Sequence, residues 1–194
     1  MKKKQLLCSL LFTSLALFIP ANTLVAKNVC DTIALKHDSL TVGNPILPGF
    51  HADPEILYSN KTGKYYIYST TDGIPGWGGY KYYVYSSADL KTWKNEGVAL
   101  DASTDQISWA NGNLWAPAAI EVKQKNGSYK YYLYFSARPN DNGRKQIGVA
   151  VSDSPTGPFV DLGKPLLAKN HPGCHGQLID VDVFIDPVSN KPYL

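Results

Sequence analysis

The chain contains the sequence HADPEI at residues 51–56, and similar stretches recur as WAPAAI at 115–120 and IDVDVF at 179–184. Asp53, Pro117 and Asp180 hold matching places in these stretches, so the spacing from one to the next is nearly constant. A regular long repeat that is filled with short aromatic strands is typical of the blades of a β-propeller. Carboxylates on the innermost strands of successive blades would meet in one central pocket. Enzymes that hydrolyse glycosidic bonds use a pair of carboxylates in a pocket.

The segments between these stretches have the composition of strands. Aromatic and β-branched residues bounded by turn residues fill 64–69 and 82–86, and the pattern recurs at 130–136 and 146–152. Each unit is predicted to contain an inner strand, an aromatic second strand, a third strand ending in Ser and a polar outer strand. No stretch has a sustained helical period, so the predicted fold class is all-β.

The repeat predicts an unfinished ring. Inner strands are expected from about residues 52, 115 and 179, which makes about two and a half blades. Closed propellers contain four to eight blades, and an open one leaves strand edges unpaired. We therefore expect residues 44–194 to form an incomplete β-propeller domain, and the sequence to be a fragment that is neither stable nor active by itself.

The N-terminal segment has the pattern of a secretory signal. Three lysines at 2–4 precede an apolar run from Leu6 to Ile19, and small residues follow up to Ala26. The run is short for a membrane span, and an uncleaved membrane anchor is the alternative. The prediction is a signal peptide at 1–26, an N-terminal extension at 27–43, and export to the periplasm or the cell exterior.

Charge and cysteine content limit the partners. The chain has 19 Lys and Arg against 16 Asp and Glu, and removal of the three leader lysines would balance the two signs. We therefore expect no nucleic-acid partner and no membrane contact after leader cleavage. Cys30 and Cys174 would remain, and an exported chain permits either a disulfide between them or two unpaired thiols.

Three motifs in this order and spacing resemble glycoside hydrolase family 43. They are PGFHADPEI at 48–56, WAP at 115–117 and IDVDVFID at 179–186, and SSADLKTW at 86–93 and SPTGPF at 154–159 also match. The resemblance extends from about residue 44 to the end. It implies a five-bladed β-propeller and an inverting hydrolase of plant cell-wall oligo- or polysaccharide. The implied activity is that of an α-L-arabinofuranosidase or β-xylosidase in arabinan or xylan degradation.

The resemblance also implies catalytic roles. Asp53 would be the general base that activates water, and Asp180 would orient the general acid and raise its pKa by like-charge repulsion. Two alternatives stay open: Asp53 and the following proline form only a turn, or Asp182, on the same strand face as Asp180 by alternation, takes its role. The family's acid is a Glu on a later blade, and Glu55 is the alternative within this chain.

Sugar binding needs flat apolar faces with polar groups around them. Trp115 is a candidate wall of the pocket, with core packing as the alternative. Trp77 lies in a glycine-rich loop and is predicted to be a subsite platform. His51 adjoins the base motif and would either line the pocket or make a structural hydrogen bond.

No cofactor is required by the implied chemistry, although the central channel would accommodate a calcium ion. A zinc site at His171, Cys174 and His175 lacks a fourth ligand and the usual spacing, so a loop is the preferred interpretation. The second functional hypothesis is a non-catalytic propeller that binds glycans or another protein, because fold alone does not determine function. A Glu on a later blade facing Asp53 would separate the two hypotheses.

Overall fold

The computed structural model describes residues 44–76 and 78–194. Within these ranges it contains ten β-strands and no helix, so no described helix is long and apolar enough to cross a membrane. The predicted signal peptide, the predicted extension at 27–43, Cys30 and Trp77 lie outside the described residues.

The first blade is a four-stranded antiparallel sheet in sequential order. It consists of β1 (His51–Ser59), β2 (Lys64–Thr71), β3 (Lys81–Ser87) and β4 (Lys94–Asp101). Alternating aromatic and β-branched residues favour the pleated, half-buried conformation of β2 and β3. The short links between successive strands favour their antiparallel pairing. This blade has the strand order that the repeat predicts.

The second blade has the same order and direction. It consists of β5 (Trp115–Lys123), β6 (Tyr129–Ala137), β7 (Gln146–Ser152) and β8 (Val160–Asp161). Two successive four-stranded sheets, each opened by one of the matching stretches, confirm the all-β propeller fold class. The predicted bounds of the third strand, 146–152, coincide with β7.

The third unit differs from its prediction. It contains only β9 (Phe184–Ile185) and β10 (Pro192–Tyr193), paired antiparallel. We expected an inner strand from about residue 179 with Asp180 and Asp182 on one strand face, and this was wrong for the described structure, where residues 178–183 are not in a strand. The short strand β10 pairs only with Phe184 and Ile185, so the ladder does not reach back to Asp180.

The two complete blades share a core and a polar junction. The core is made of buried aromatic and aliphatic side chains that include Tyr68, Tyr82, Val84, Leu133, Phe135 and Phe159. At one end of the junction Glu121 accepts hydrogen bonds from the Ser59 hydroxyl and from the Asn60 backbone N–H. Tyr68 donates its hydroxyl proton to the carbonyl of Pro155. These contacts hold the two blades side by side, which positions the candidate site.

Candidate active site

The three matching stretches share a backbone kink. Asp53, Ala116 and Asp180 have positive φ angles of 47°, 36° and 58°, a conformation that non-glycine residues adopt at a cost of about 1–3 kcal/mol and that clusters at functional sites. Register shifts accompany the first two kinks, in β1 and in β5. The residue that matches Asp53 in the second blade is therefore Ala116 rather than Pro117.

Thr70 links the first kink to the second. Its hydroxyl donates to Oδ2 of Asp53 at 3.0 Å and accepts the backbone N–H of Ala116 at 2.9 Å. Thr70 is buried, whereas Asp53 is exposed. One side chain in β2 therefore orients the candidate base and anchors the inner strand of the next blade.

A second bond joins the first blade to Trp115. The hydroxyl of Tyr82, a fully buried residue of β3, donates to the carbonyl oxygen of Trp115 at 2.9 Å. Burial raises the pKa of this tyrosine well above its usual value, and the nearby negative charge of Asp53 raises it further. The hydrogen bonds of Thr70 and Tyr82 show that Asp53 and the start of β5 lie at the same end of the blades.

Lys145 covers part of Trp115. Its Nζ lies 3.6 Å from the centroid of the Trp115 ring and donates to the carbonyl oxygen of Asn113 at 2.8 Å. Burial, with the nearby charge of Arg138, lowers the pKa of Lys145 to about 8. The ammonium occupies one face of the indole as a cation–π contact, so only the opposite face could stack on a sugar.

Both ring nitrogens of His51 are engaged. Nε2 lies 3.0 Å from the carbonyl oxygen of Pro48, which can only accept, so Nε2 donates there. Nδ1 lies 3.1 Å from the Ser69 hydroxyl oxygen, and in a neutral ring it accepts from that hydroxyl. The ring also packs edge-on against Tyr85. These bonds fit the structural alternative for His51, and the role of His51 in lining the pocket stays a prediction.

Glu55 and Asp53 have different hydrogen-bond partners. Simple alternation would place both side chains on one face, but the register shift lies between Ala52 and Glu55. Glu55 points towards the second blade, where its Oε1 accepts the N–H of Ala119 at 3.4 Å. Burial raises the pKa of Glu55, and the negative charge of Asp182 raises it further.

Asp180 and Asp182 are both exposed and have different partners. Asp180 carries the kink that matches Asp53, whereas Asp182 accepts the N–H of the following Val183 at 2.7 Å and interacts with Glu55 through charge. The kink therefore gives Asp180, and not Asp182, the place of Asp53 in the repeat. Convergence of Asp180 on Asp53 and Trp115 stays a prediction.

No group of three or more His, Cys, Asp or Glu side chains that could hold a metal lies within residues 44–76 and 78–194. His171 and Cys174 are neighbours, with 3.7 Å between Nδ1 and Sγ, but they gather no third His, Cys, Asp or Glu ligand among those residues. The calcium ion of the central channel stays a prediction.

The sequence interpretation did not identify two residues that contact the candidate site residues. Thr70 could have been found, because the aromatic second strands end in hydroxyl residues at equivalent places, Thr70 and Ser136. Lys145 had no local signal, since it precedes β7 in a polar loop and only packing brings it to Trp115.

Residues 42–194 match the family model of glycosyl hydrolases family 43. An arabinoxylan arabinofuranohydrolase of Bacillus subtilis (strain 168) is 35% identical over 162 residues, which is 70% of this chain and 29% of that protein. A β-D-galactofuranosidase of Aspergillus niger is 32% identical over 175 residues, 86% of this chain and 46% of that protein.

The solved structure of a family 43 β-xylosidase/α-arabinofuranosidase from a compost metagenome, in complex with xylotriose and in a calcium-free form, is also similar. It has a TM-score of 0.57 and 35% identity, and the match covers 76% of this chain and 43% of that one. The chain thus spans less than half the length of each of these three relatives.

Proposed function

Because this chain belongs to glycoside hydrolase family 43, we propose that the natural protein that contains it hydrolyses glycosidic bonds of plant polysaccharide. We call that protein the parent protein. The proposed substrates are arabinofuranosyl or xylosyl units of arabinan, arabinoxylan or xylan. Support comes from the arabinofuranohydrolase of B. subtilis and from the metagenomic xylosidase with its xylotriose ligand. The galactofuranosidase of A. niger has a different sugar, so the assay includes galactofuranosides.

The observation that carries the proposal is the setting of Asp53. This carboxylate lies at the kinked start of the inner strand, is exposed, and has Oδ2 held by Thr70. The hydrogen bond to Oδ2 leaves Oδ1 as the atom that would take a proton from water. In an inverting glycosidase this base and the acid are about 6.5–9.5 Å apart, which leaves room for the water.

We assign Asp180 the role of orienting the acid and raising its pKa. The kink that it shares with Asp53 supports this choice over Asp182. In the proposed mechanism a carboxylate beside the acid makes loss of the acid's proton more costly, so the acid is still protonated when the sugar leaves.

The general acid is proposed to come from outside this chain. The chain has three glutamates, and two of them are engaged away from Asp53: Glu121 binds Ser59 and Asn60, and Glu96 binds Lys94. Glu55 faces Ala119. We therefore expect residues 27–194 alone to be inactive, and export through the predicted leader is part of the same proposal.

The test is an assay of the purified parent protein on aryl α-L-arabinofuranosides, β-D-xylosides and β-D-galactofuranosides, with the anomeric product followed by proton NMR. Hydrolysis of a pentoside with the opposite anomer appearing first is the expected result. Retention of configuration would exclude the base role of Asp53. Binding of arabinoxylan without hydrolysis of any substrate would favour the non-catalytic propeller.

A further inference from the structure

The first blade holds the start of β5 through two N–H groups. The backbone N–H of Leu114 donates to the carbonyl oxygen of Gly79 at 3.0 Å. Further along the chain the N–H of Ala116 donates to Oγ1 of Thr70 at 2.9 Å. The first bond brings the chain from one blade to the next, and the second fixes the kinked residue.

The second blade repeats the first of these bonds. The N–H of Leu178 donates to the carbonyl oxygen of Lys145 at 3.1 Å. Leu178 precedes the Asp180 kink by the same step as Leu114 precedes the Ala116 kink, while the acceptor Lys145 lies one residue before β7 and the acceptor Gly79 two residues before β3. The segment that leads to Asp180 thus leaves the second blade within one residue of the equivalent place, and through the same kind of backbone bond, as the segment that leads to Ala116 leaves the first.

The second blade also repeats the hydroxyl group. Thr70 is opposite Ala52 and Ser136 is opposite Trp115, so each hydroxyl residue faces the position just before a kink. Ser136 is completely buried, and its Oγ has no hydrogen-bond partner. A buried hydroxyl without a partner is destabilising and calls for an explanation.

The other side-chain bond of the first junction has no counterpart. In the first blade the pairing of Ser69 with Tyr83 continues to place Tyr82 opposite Thr70. In the second blade Ile147 lies opposite Ser136. Isoleucine has no hydroxyl, so it cannot donate to the carbonyl before Asp180 as Tyr82 donates to Trp115. Of the two side chains of the first blade that bond to the start of β5, Thr70 therefore has a counterpart with a hydroxyl in the second blade, Ser136, and Tyr82 does not.

We propose that Ser136 is the positioning residue for Asp180: its Oγ accepts the backbone N–H of Asp180 when the third inner strand is seated against the second blade. The bond would give Ser136 the partner that it lacks in this structure. It would also hold the Asp180 kink, so that the carboxylate stays beside the acid. The bond itself follows from the repeat, and only its catalytic consequence rests on the proposed function.

The experiment compares Ser136→Ala and Ser136→Thr in the parent protein. Hydrogen exchange of the Asp180 amide, resolved by fragmentation mass spectrometry, should be about tenfold faster in Ser136→Ala, since one hydrogen bond is lost. Ser136→Thr introduces the residue that the first blade has at the equivalent position, Thr70, and so keeps a hydroxyl. Exchange of the Asp180 amide should then stay as slow as in the parent. The alkaline limb of the pH–rate profile should move to lower pH in Ser136→Ala and should stay at the position of the parent in Ser136→Thr.

Ser152→Ala is the matched control. Ser152 is also a buried serine next to a blade core, but its Oγ accepts the N–H of Ser154 at the far end of β7. This variant should change neither the Asp180 exchange nor the alkaline limb. If Ser136→Ala does not fold, Ser136→Cys replaces it, because sulfur is a weak acceptor of similar size.

Equal exchange of the Asp180 amide in the parent and in Ser136→Ala would overturn the proposal. Faster exchange with an unchanged alkaline limb would support the bond but contradict the catalytic role of Asp180. If the parent hydrolyses none of the substrates, the proposed function fails, and the exchange measurement still decides the bond.

Discussion

The start of the first inner strand and the segment that leads to β9 contain the same kink in different surroundings. Asp53 lies near the start of a nine-residue strand, Thr70 holds its carboxylate, and the next blade is bound to the same hydroxyl. Asp180 has nearly the same φ angle, but the backbone around it is not in a strand, and Ser136 has no partner. The kink is thus a local property of the chain.

The difference between Asp53 and Asp180 shows that the kink alone does not fix the direction of the side chain. A positive φ turns the side chain away from the ladder, but its direction is fixed only when a neighbouring strand provides a donor. In the first blade that donor is Thr70. Four variants of the parent protein test this comparison.

Asp53→Asn should have the largest effect. The amide keeps the shape and the Thr70 contact but cannot take a proton from water, so the rate should fall by about a hundredfold to ten-thousandfold. Sugar binding, measured by calorimetry with an arabinoxylan oligosaccharide, should stay close to that of the parent. Near-normal turnover of aryl arabinofuranosides and xylosides would contradict the general-base role of Asp53, which would then have only a structural role.

Thr70→Val should come next. The change removes the donor to Asp53 and leaves the N–H of Ala116 without its acceptor, so the free energy of unfolding should fall by about 1–3 kcal/mol. Urea denaturation measures this loss, and kcat should fall while KM changes less. Thr70→Ser keeps the hydroxyl and serves as the control; a serine variant as damaged as the valine variant would show that the methyl group, not the hydroxyl, matters.

Asp180→Asn should weaken catalysis through the acid. Without the nearby negative charge the pKa of the acid falls, and the alkaline limb of the pH–rate profile should move down by about one pH unit, equivalent to about 1.4 kcal/mol. Asp182→Asn, in the same segment, should leave the limb in place. The reverse pattern would transfer the role to Asp182.

Lys145→Met should have the smallest effect and concerns the indole face of Trp115. Burial lowers the pKa of Lys145 from 10.5 to about 8, so between these pH values the unfolded chain binds more protons than the folded chain. This lysine therefore makes stability rise with pH across that window. The rise in Tm across the same window should be smaller in Lys145→Met than in Lys125→Met, a change at an exposed turn residue. Equal pH dependence of Tm in the two variants would contradict the buried position of Lys145.

The fold could be predicted further than the site. Strand β7 has the expected bounds, because strand-forming residues between turn residues are a local signal. The register at the second kink was displaced by one position, from Pro117 to Ala116, because a bulge changes the alternation without changing the sequence pattern.

The sequence by itself determined the family, the all-β fold class, the repeat and the candidate carboxylates, since these depend on residue type and spacing along the chain. Only the tertiary structure showed that Thr70 holds Asp53, that Lys145 covers one face of Trp115 and that Ser136 is buried without a partner. Hydrogen bonds, cation–π contacts and burial depend on distances of a few ångströms between residues far apart in the chain. Those distances follow from the packing of one blade on the next, which no local pattern contains.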